Sequence, residues 1–371
     1  MSLFSFFKKN KESYSLVFNI GSGSVSGAVV KFTEALGEIL TSYNKEIIPF
    51  QEEISVPKHL ELMKNSLDIL VKSIQKTNTQ KVDRIFYMFS SPWSISQTKI
   101  IRIKDIKSIK ITDSYLNKII DEHEKKFQIE LANSGKIIEK KIIQIKINGY
   151  AVDDFIGKST KDLEIAVLFT VVPEDVLLTI EEAVSKVFDI NNIWCHSLSL
   201  ATSSVIRNLF PQKEDFIHID VSEEVTDISI VENNILLNSA SIPFGRNDFI
   251  RELSKTLGVS EELADSQIKM HCAKHNDELA AMKLSVSMDK AAFDWLAKIT
   301  GILNGFKDKI YVPDSIFLIA DHDLSVFLKD KLQKQDFQII ALDNKKIKSP
   351  IIIEDAIFKI ILMFLDNIYK I

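Results

Sequence analysis

NIGSGSVSGAVV, from Asn19 to Val30, and DVSEEVTDISIV, from Asp220 to Val231, lie about 200 residues apart and decide how the chain is read. Each predicts strand, tight turn, strand. Alternating β-branched residues flank a short run of Gly, Ser or acidic residues, the way a strand hands its backbone into a turn that can approach a phosphate. The first stretch keeps Gly21 and Gly23, whereas the second carries Ser222, Glu223 and Glu224. A clamp made of two hairpins needs both jaws, so this contrast carries the functional argument.

Outward from the first hairpin, Val56 to Thr77 has apolar residues at helical spacing (Leu60, Leu62, Met63, Leu67, Leu70, Val71, Ile74), with Pro57 near its start where proline is tolerated. RIFYMF (84–89) reads as a buried strand. From about Ser91 to Gly157 the pattern turns β-rich around one helix, Asp113 to Ile129, which predicts an inserted subdomain. LEIAVLFTVV (163–172) reads as a central strand, followed by a helix to Phe188. The second half repeats this outline: a hairpin at 216–239, a turn at Pro243 to Gly245, helices over 248–257, 260–275 and 288–307, and a late strand, SIFLIA, ending at Asp321. Two halves that each open on a β-turn-β unit predict a duplicated α/β architecture with a cleft between them.

The bulk numbers narrow the class. With 371 residues, 46% hydrophobic and 26% charged, the chain can bury two ordinary domains. The net charge of -5, from 46 basic and 51 acidic residues, argues against a general nucleic-acid binder. Lysines alternate with isoleucines between Lys136 and Lys146, as in a half-exposed strand with a solvated face. Cys195 and Cys272 are too few and too far apart for a disulfide framework and fit a reducing cytosol. No segment reaches the roughly 18 to 20 apolar residues of a membrane span. MSLFSFFKKNK at the start lacks the apolar h-region and cleavage site of a signal peptide, so export by that route is not expected. Its Phe-rich tip followed by lysines suits either weak contact with an anionic membrane or a frayed terminus.

His271 and His275 share a helix face at i, i+4 beside Cys272, but no third zinc ligand is evident. There is no G-x-S-x-G elbow, P-loop or G-x-G-x-x-G opening a helix. Phe358, Phe364 and Tyr369 in the last helix read as a cap on the fold or as an adhesive stripe.

Five segments in order resemble the actin-type nucleotide-binding fold, which also includes DnaK-type chaperones and sugar kinases, and within it the bacterial FtsA and PilM group. NIGSGSVSGAVV is similar to the first phosphate motif, and DVSEEVTDISIVENNILLNSASIPFG to the second with its trailing strand and glycine. LGVSEELADSQIKMHCAKH (257–275) looks like the helix after it, FLIADHDLSVFLKDKL (317–332) sits where the adenosine motif falls, and NGYAVDD with GKSTKDLEIAVLFTVV (148–172) resembles the segment leaving the FtsA insertion. The resemblance implies an α/β, duplicated actin-like (ribonuclease H-like) two-domain fold with an inserted small α+β subdomain. It divides the chain into an N-terminal Phe/Lys segment (1–12), a first domain (13–90 and 161–215), the insertion (91–160), a second domain (216–350) and a C-terminal helix (351–371) returning to the first. It carries nucleotide contacts onto Asn19, Gly21, Ser22, Gly23, Ser24, Asp220, Ser222, Glu223, Glu224, Thr226, Asp227, Gly245, Ala320 and Asp321, with no catalytic residue and no metal ligand set assigned.

Departures from the pattern set the expected chemistry. The first motif ordinarily begins with an aspartate that positions magnesium, and here Asn19 keeps the size and loses the charge. In the second motif Asp220, Thr226 and Asp227 match, while three turn glycines are replaced by Ser222, Glu223 and Glu224. Side chains at turn positions needing positive φ cost roughly 1 kcal/mol each. A glutamate about 4 Å from a phosphate charge opposes it by about 4 kcal/mol at an effective dielectric near 20. The adenosine motif has Ala320 and Asp321 where a Gly-Gly pair is expected. The expectation is therefore a pseudo-ATPase with no cofactor, or only weakly bound ATP/Mg, acting as an FtsA-like adaptor of division machinery. PilM-like service in pilus or type II secretion assembly is the alternative, and an active actin-like ATPase the third. Implied partners are a tubulin-like division protein or a peptide of a pilus inner-membrane protein, with self-association into filaments, weak membrane contact and no nucleic acid. The implied location is cytoplasmic, at the inner face of the cell membrane.

Overall fold

The strands that begin each half are buried on both faces: in the first, Leu16, Val17, Phe18 and Ile20 are shut off from solvent, and in the second Phe216, Ile217 and Ile219 are. Such strands sit in the middle of a sheet covered on both sides. The computed structural model describes residues 13–33, 37–130, 135–272, 278–307, 310–335, 337–347 and 353–369; the N-terminal Phe/Lys segment and His275 lie outside them.

The elements in chain order are β1 (Ser13–Ile20), β2 (Ser24–Thr33), β3 (Gly37–Ile47), α1 (Val56–Thr77), β4 (Val82–Phe89), β5 (Ile95–Lys110), α2 (Asp113–Glu130), β6 (Lys136–Ile147), β7 (Tyr150–Ala151), β8 (Ser159–Val172), α3 (Glu174–Ser185), β9 (Ile193–Ser197) and α4 (Leu198–Leu209). The second half follows with β10 (Phe216–Val221), β11 (Thr226–Glu232), β12 (Ile235–Ile242), α5 (Arg246–Leu257), α6 (Glu261–Cys272), α7 (Glu278–Lys307), β13 (Ser315–Ile319), α8 (His322–Gln333), β14 (Gln338–Ala341) and α9 (Ala356–Tyr369). α7 starts ten residues before the predicted helix, and β9 and α4 are elements the sequence pattern did not single out.

Among the described residues there are two sheets. One runs β3-β2-β1-β4-β9, and the other contains β12-β11-β10-β13-β14. In both series a three-strand antiparallel meander is followed, across its first strand, by two parallel strands. The duplication that sequence identity leaves undetected is therefore explicit in the topology. Hydrophobic clusters divide the molecule into layers. α1 and α3 cover the outer face of the first sheet, α4 and α9 lie between the sheets, and α5 to α8 cover the outer face of the second. Phe358 and Phe364 of α9 are fully buried in the middle layer, so the last helix caps the core.

The insertion is the sheet β5-β8-β6-β7 with α2 packed on it through Leu116, Ile119, Ile120 and Phe127. β8 pairs along its length with β5 and β6, so the strand expected among the central strands of the α/β halves belongs to the insertion's sheet as far as Val172. This sheet joins the second half edge to edge, with Gln97 of β5 opposite Asn238 of β12. It is pinned to the first half by a buried carboxylate: Glu139 of β6 meets His196 Nδ1 at 2.7 Å and accepts the Ser197 amide at 3.0 Å. Burial raises this carboxyl, but His196 and the Ser197 amide outweigh it and hold it below its ordinary range. Among the described residues no helix is long and apolar enough to cross a membrane.

Candidate functional site

The two motif hairpins are the same object built twice. In the first, Ile20 pairs with Val25 across a four-residue turn closed by the Gly21 amide on the Ser24 carbonyl at 3.1 Å. In the second, Val221 pairs with Thr226 and the Ser222 amide reaches the Val225 carbonyl at 3.0 Å. Register places Asn19 opposite Ser26 in one and Asp220 opposite Asp227 in the other. Each turn is also held from outside: Trp93 Nε1 donates to the Gly21 carbonyl at 2.7 Å, and the Arg246 amide donates to the Ser222 carbonyl at 2.9 Å.

The tips of the two turns touch. Ser22 and Ser222 hydroxyl oxygens are 2.7 Å apart, and Ser22 Oγ accepts the Glu224 amide at 3.1 Å. Since the Ser222 hydroxyl donates to the Val225 carbonyl at 2.8 Å, the shared proton comes from Ser22. A Cβ placed on Gly23 would lie 2.2 Å from Cβ of Glu223, so the missing side chain is what lets the second turn seat against the first. Gly245 serves a like purpose, because a Cβ there would fall 2.4 Å from the carbonyl oxygens of Ser222 and Glu223. Those carbonyls take the Arg246 and Asn247 amides, which are the helix N-terminal donors of α5 that an anion would otherwise use.

The expected backbone strain is absent. Among the described non-glycine residues positive φ occurs at Asn148, Asn233 and Asn234, so Ser222, Glu223 and Glu224 close their turn without the left-handed region. The glutamates are not turned to solvent either. Glu224, 8% exposed, accepts from Arg251 at 2.8 and 2.9 Å and from Asn247 Nδ2 at 2.6 Å. Arg251 also donates to the Gln51 carbonyl at 2.8 and 3.0 Å and lies over the Phe50 ring, so one guanidinium ties the second hairpin to the first half. Gln51 continues the chain of contacts to His59 at 3.0 Å, and the His59 ring stacks on Trp93.

Beneath the tips the ground is acidic. Asp220 faces Asp227, and burial together with the charges of Asp227, Glu223, Asp355 and Asp321 pushes its carboxyl far above the ordinary range. Burial also raises Glu223, helped by Asp321 and opposed by Lys45. It raises Asp227 too, although that carboxylate accepts from the Ser241 hydroxyl and, at 3.4 Å, from the Ser91 amide. Lys45 faces this group and is ion-paired with Asp355 at 3.4 Å; burial opposes its charge, but Asp355, Glu223 and Asp321 hold it protonated. A triphosphate does not fit this arrangement: the gap between tips is closed, the helix amides are taken and the remaining lining is mostly carboxyl groups that already crowd one another. Among the described residues no group of three or more His, Cys, Asp or Glu is placed to hold a metal ion.

The remaining motif positions are distributed by role. Asn19 is buried with its Oδ1 unpartnered. The Ser24 carbonyl closes the first turn. Thr226 is structural, donating to the Phe244 carbonyl at 2.7 Å and accepting from Trp295 Nε1 at 3.0 Å. Ala320 and Asp321 link β13 to α8, where the Arg246 guanidinium reaches Asp321 at 3.4 Å, Asp323 at 2.9 Å and Asp265 at 2.7 Å. A protein side chain thus occupies the ground beside the adenosine-type motif. Sequence reasoning missed Arg246, Asn247, Arg251, Gln51 and Lys45. A signal was available: two adjacent acids in a turn call for cations close by, and the next helix opens with Arg246 and carries Arg251.

No protein-family model matches the sequence, and no curated protein matches it. Solved structures do. A chain of the PilM–PilN type IV pilus biogenesis complex superposes with a TM-score of 0.62 at 12% identity, over 97% of this chain and 99% of that one. MreB 5 of Spiroplasma citri, bound to AMPPNP, superposes with a TM-score of 0.50 at 9% identity, over 97% of this chain and 98% of that one. With the duplicated sheet topology, these likenesses show the actin-like fold over 97% of the chain.

Proposed function

We propose that this chain is a nucleotide-independent adaptor on the actin-like fold, working at the cytoplasmic face of a membrane in the PilM manner by holding a peptide of a pilus or secretion assembly protein. The observation that carries the reading is the 2.7 Å contact between Ser22 and Ser222, with Glu224 locked onto Arg251 and Asn247, on the ground where phosphates would lie. A fold of this kind outlives its ligand because the same hairpins build both central sheets.

The strand edges of this chain itself point to the joint between the insertion and the first half, where β6 and β9 lie close together. Among the described residues β6 pairs on its far side only with β7, through Lys146 and Ile147, and β9 ends the first sheet. Ile193 and Trp194 of β9 remain 40% and 42% exposed. Two neighbouring strand edges with an exposed indole suit an extended peptide added by β-pairing. The FtsA-like division reading rests on sequence segments alone and stands as the other outcome of the partner test.

Two measurements test the proposal. Calorimetry and thermal shift with Mg-ATP are expected to show no saturable stabilisation; a micromolar-range transition would sink the nucleotide-independent reading. Titration of labelled N-terminal peptides from pilus inner-membrane proteins is expected to give saturable binding that weakens when Trp194 is replaced by Ala. Binding of a tubulin-like division protein instead, with no peptide binding, would move the chain to the FtsA branch.

A further inference from the structure

Away from the hairpins, a cavity of about 100 Å³ opens where three parts of the molecule meet. β6 of the insertion contributes Lys141 and Ile143, α4 contributes Ser203, Ser204 and Arg207, and the β11–β12 turn contributes Asn234. The turn is fixed by Asn233 and Asn234, both at positive φ, a conformation asparagine tolerates. It offers the Asn234 carbonyl to Arg207 Nη1 at 2.8 Å, which orients the guanidinium along the cavity wall.

The lining is cationic without a carboxylate of its own. The carboxylate acting on Lys141 is Glu139, already committed to His196 and the Ser197 amide. Burial is the leading influence depressing both Lys141 and Arg207, and Arg207 depresses Lys141 further. Lys141 Nζ lies over the Phe364 ring, 5.2 Å from its centroid. Two half-buried cations that repel one another, beside the Ser204 hydroxyl, form a ready-made receptor for negative charge, because an anion removes their repulsion and completes their hydrogen bonds at once, while the Ser203 hydroxyl is committed to the Ser199 carbonyl and His218 Nε2.

We propose that this cavity is a binding site for a small oxyanion, with Lys141 and Arg207 as its charged donors and Ser204 as a neutral one. Bound there, the anion would join insertion, first half and second half at one point and stiffen their mutual placement. The inference is independent of the adaptor reading, since it concerns different residues and is tested without nucleotide or peptide.

Thermal unfolding and calorimetry of the full chain, with inorganic phosphate and acetate as probes at constant ionic strength against chloride, test it. Saturable stabilisation by phosphate, by acetate or by both supports the site and tells a tetrahedral from a planar ligand. Arg207→Gln and Lys141→Met are each expected to weaken the response about tenfold or more, as loss of a charge-assisted bond does. In chloride alone, Lys141→Met is expected to be at least as stable as the parent, because it relieves the repulsion. Should a charge variant fail to fold, Ser204→Ala, a smaller change, is expected to weaken phosphate or acetate binding by a few-fold. No saturable effect of either probe on the parent, or an equal effect on parent and variants, would overturn the proposal.

Discussion

The first hairpin presents a turn with almost nothing on it, Gly21-Ser22-Gly23, while the second presents Ser222-Glu223-Glu224, and strand pairing and turn closure are otherwise the same in both. Seen alone, the second turn looks like a damaged copy of the first. Seen together they are complementary: Gly23 is bare where Glu223 packs, Ser22 meets Ser222, and Glu224 reaches past both to Arg251. The difference teaches that the side chains on one turn decide what the glycine on the other is for. Gly23 is not at positive φ, so it serves close approach and not turn conformation.

That complementarity can be broken from either side. The largest effect is expected from Arg251→Ala, which strands a carboxylate that is 8% exposed; a loss of roughly 3 kcal/mol in denaturant unfolding is expected. An unchanged midpoint would mean that Glu224 is not held as described. Next, Gly23→Ala should cost about 2 kcal/mol by overpacking against Glu223, and Glu223→Gly in the same chain should return most of it. Gly21→Ala, whose Cβ would stand 3.1 Å from the Ser24 carbonyl oxygen, is expected to cost clearly less. A double-mutant cycle with no coupling between positions 23 and 223 would break the comparison.

Smaller still is Ser22→Ala, which removes the donor to Ser222 and the acceptor for the Glu224 amide. About 1 kcal/mol is expected, together with faster hydrogen exchange at the Glu224 amide. The smallest effect is a change of slope. Burial raises the carboxyls of Asp220, Glu223 and Asp227, so the folded protein holds protons that the unfolded chain gives up. Their stabilisation is complete below the ordinary carboxylate value of about 4 and is lost as pH rises through the raised values. Glu223→Gln should flatten the fall of the melting temperature across that window. Glu139 has the opposite sign: its carboxyl is held low, so its contact with His196 and Ser197 weakens as pH falls. A parent melting temperature that climbs steadily from acidic to neutral pH would contradict the description of the cleft.

Much of the fold was legible because it follows from local pattern. The helix at Val56 to Thr77 was bounded to the residue by its apolar spacing and Pro57, and the alternating Lys/Ile run is the half-exposed strand β6. β9 and α4 were not legible, since a five-residue edge strand running straight into a twelve-residue helix leaves little periodicity to read. The site was legible in part. Ser22, Gly23, Ser222, Glu223, Glu224 and Gly245 come together, but their partners Arg251, Asn247 and Gln51 belong to no motif, and a turn does not announce which way its side chains swing.

The amino-acid sequence by itself determined the two hairpins, the duplicated α/β plan and the contrast between a glycine-marked first turn and an acidic second one, because strand alternation and turn composition are set by neighbours along the chain. Only the tertiary structure decided that the acids point inward and that the hairpins close on one another. Those contacts join residues about 200 positions apart, and whether a buried carboxylate is repelled or held depends on charges that folding, not sequence order, brings within reach.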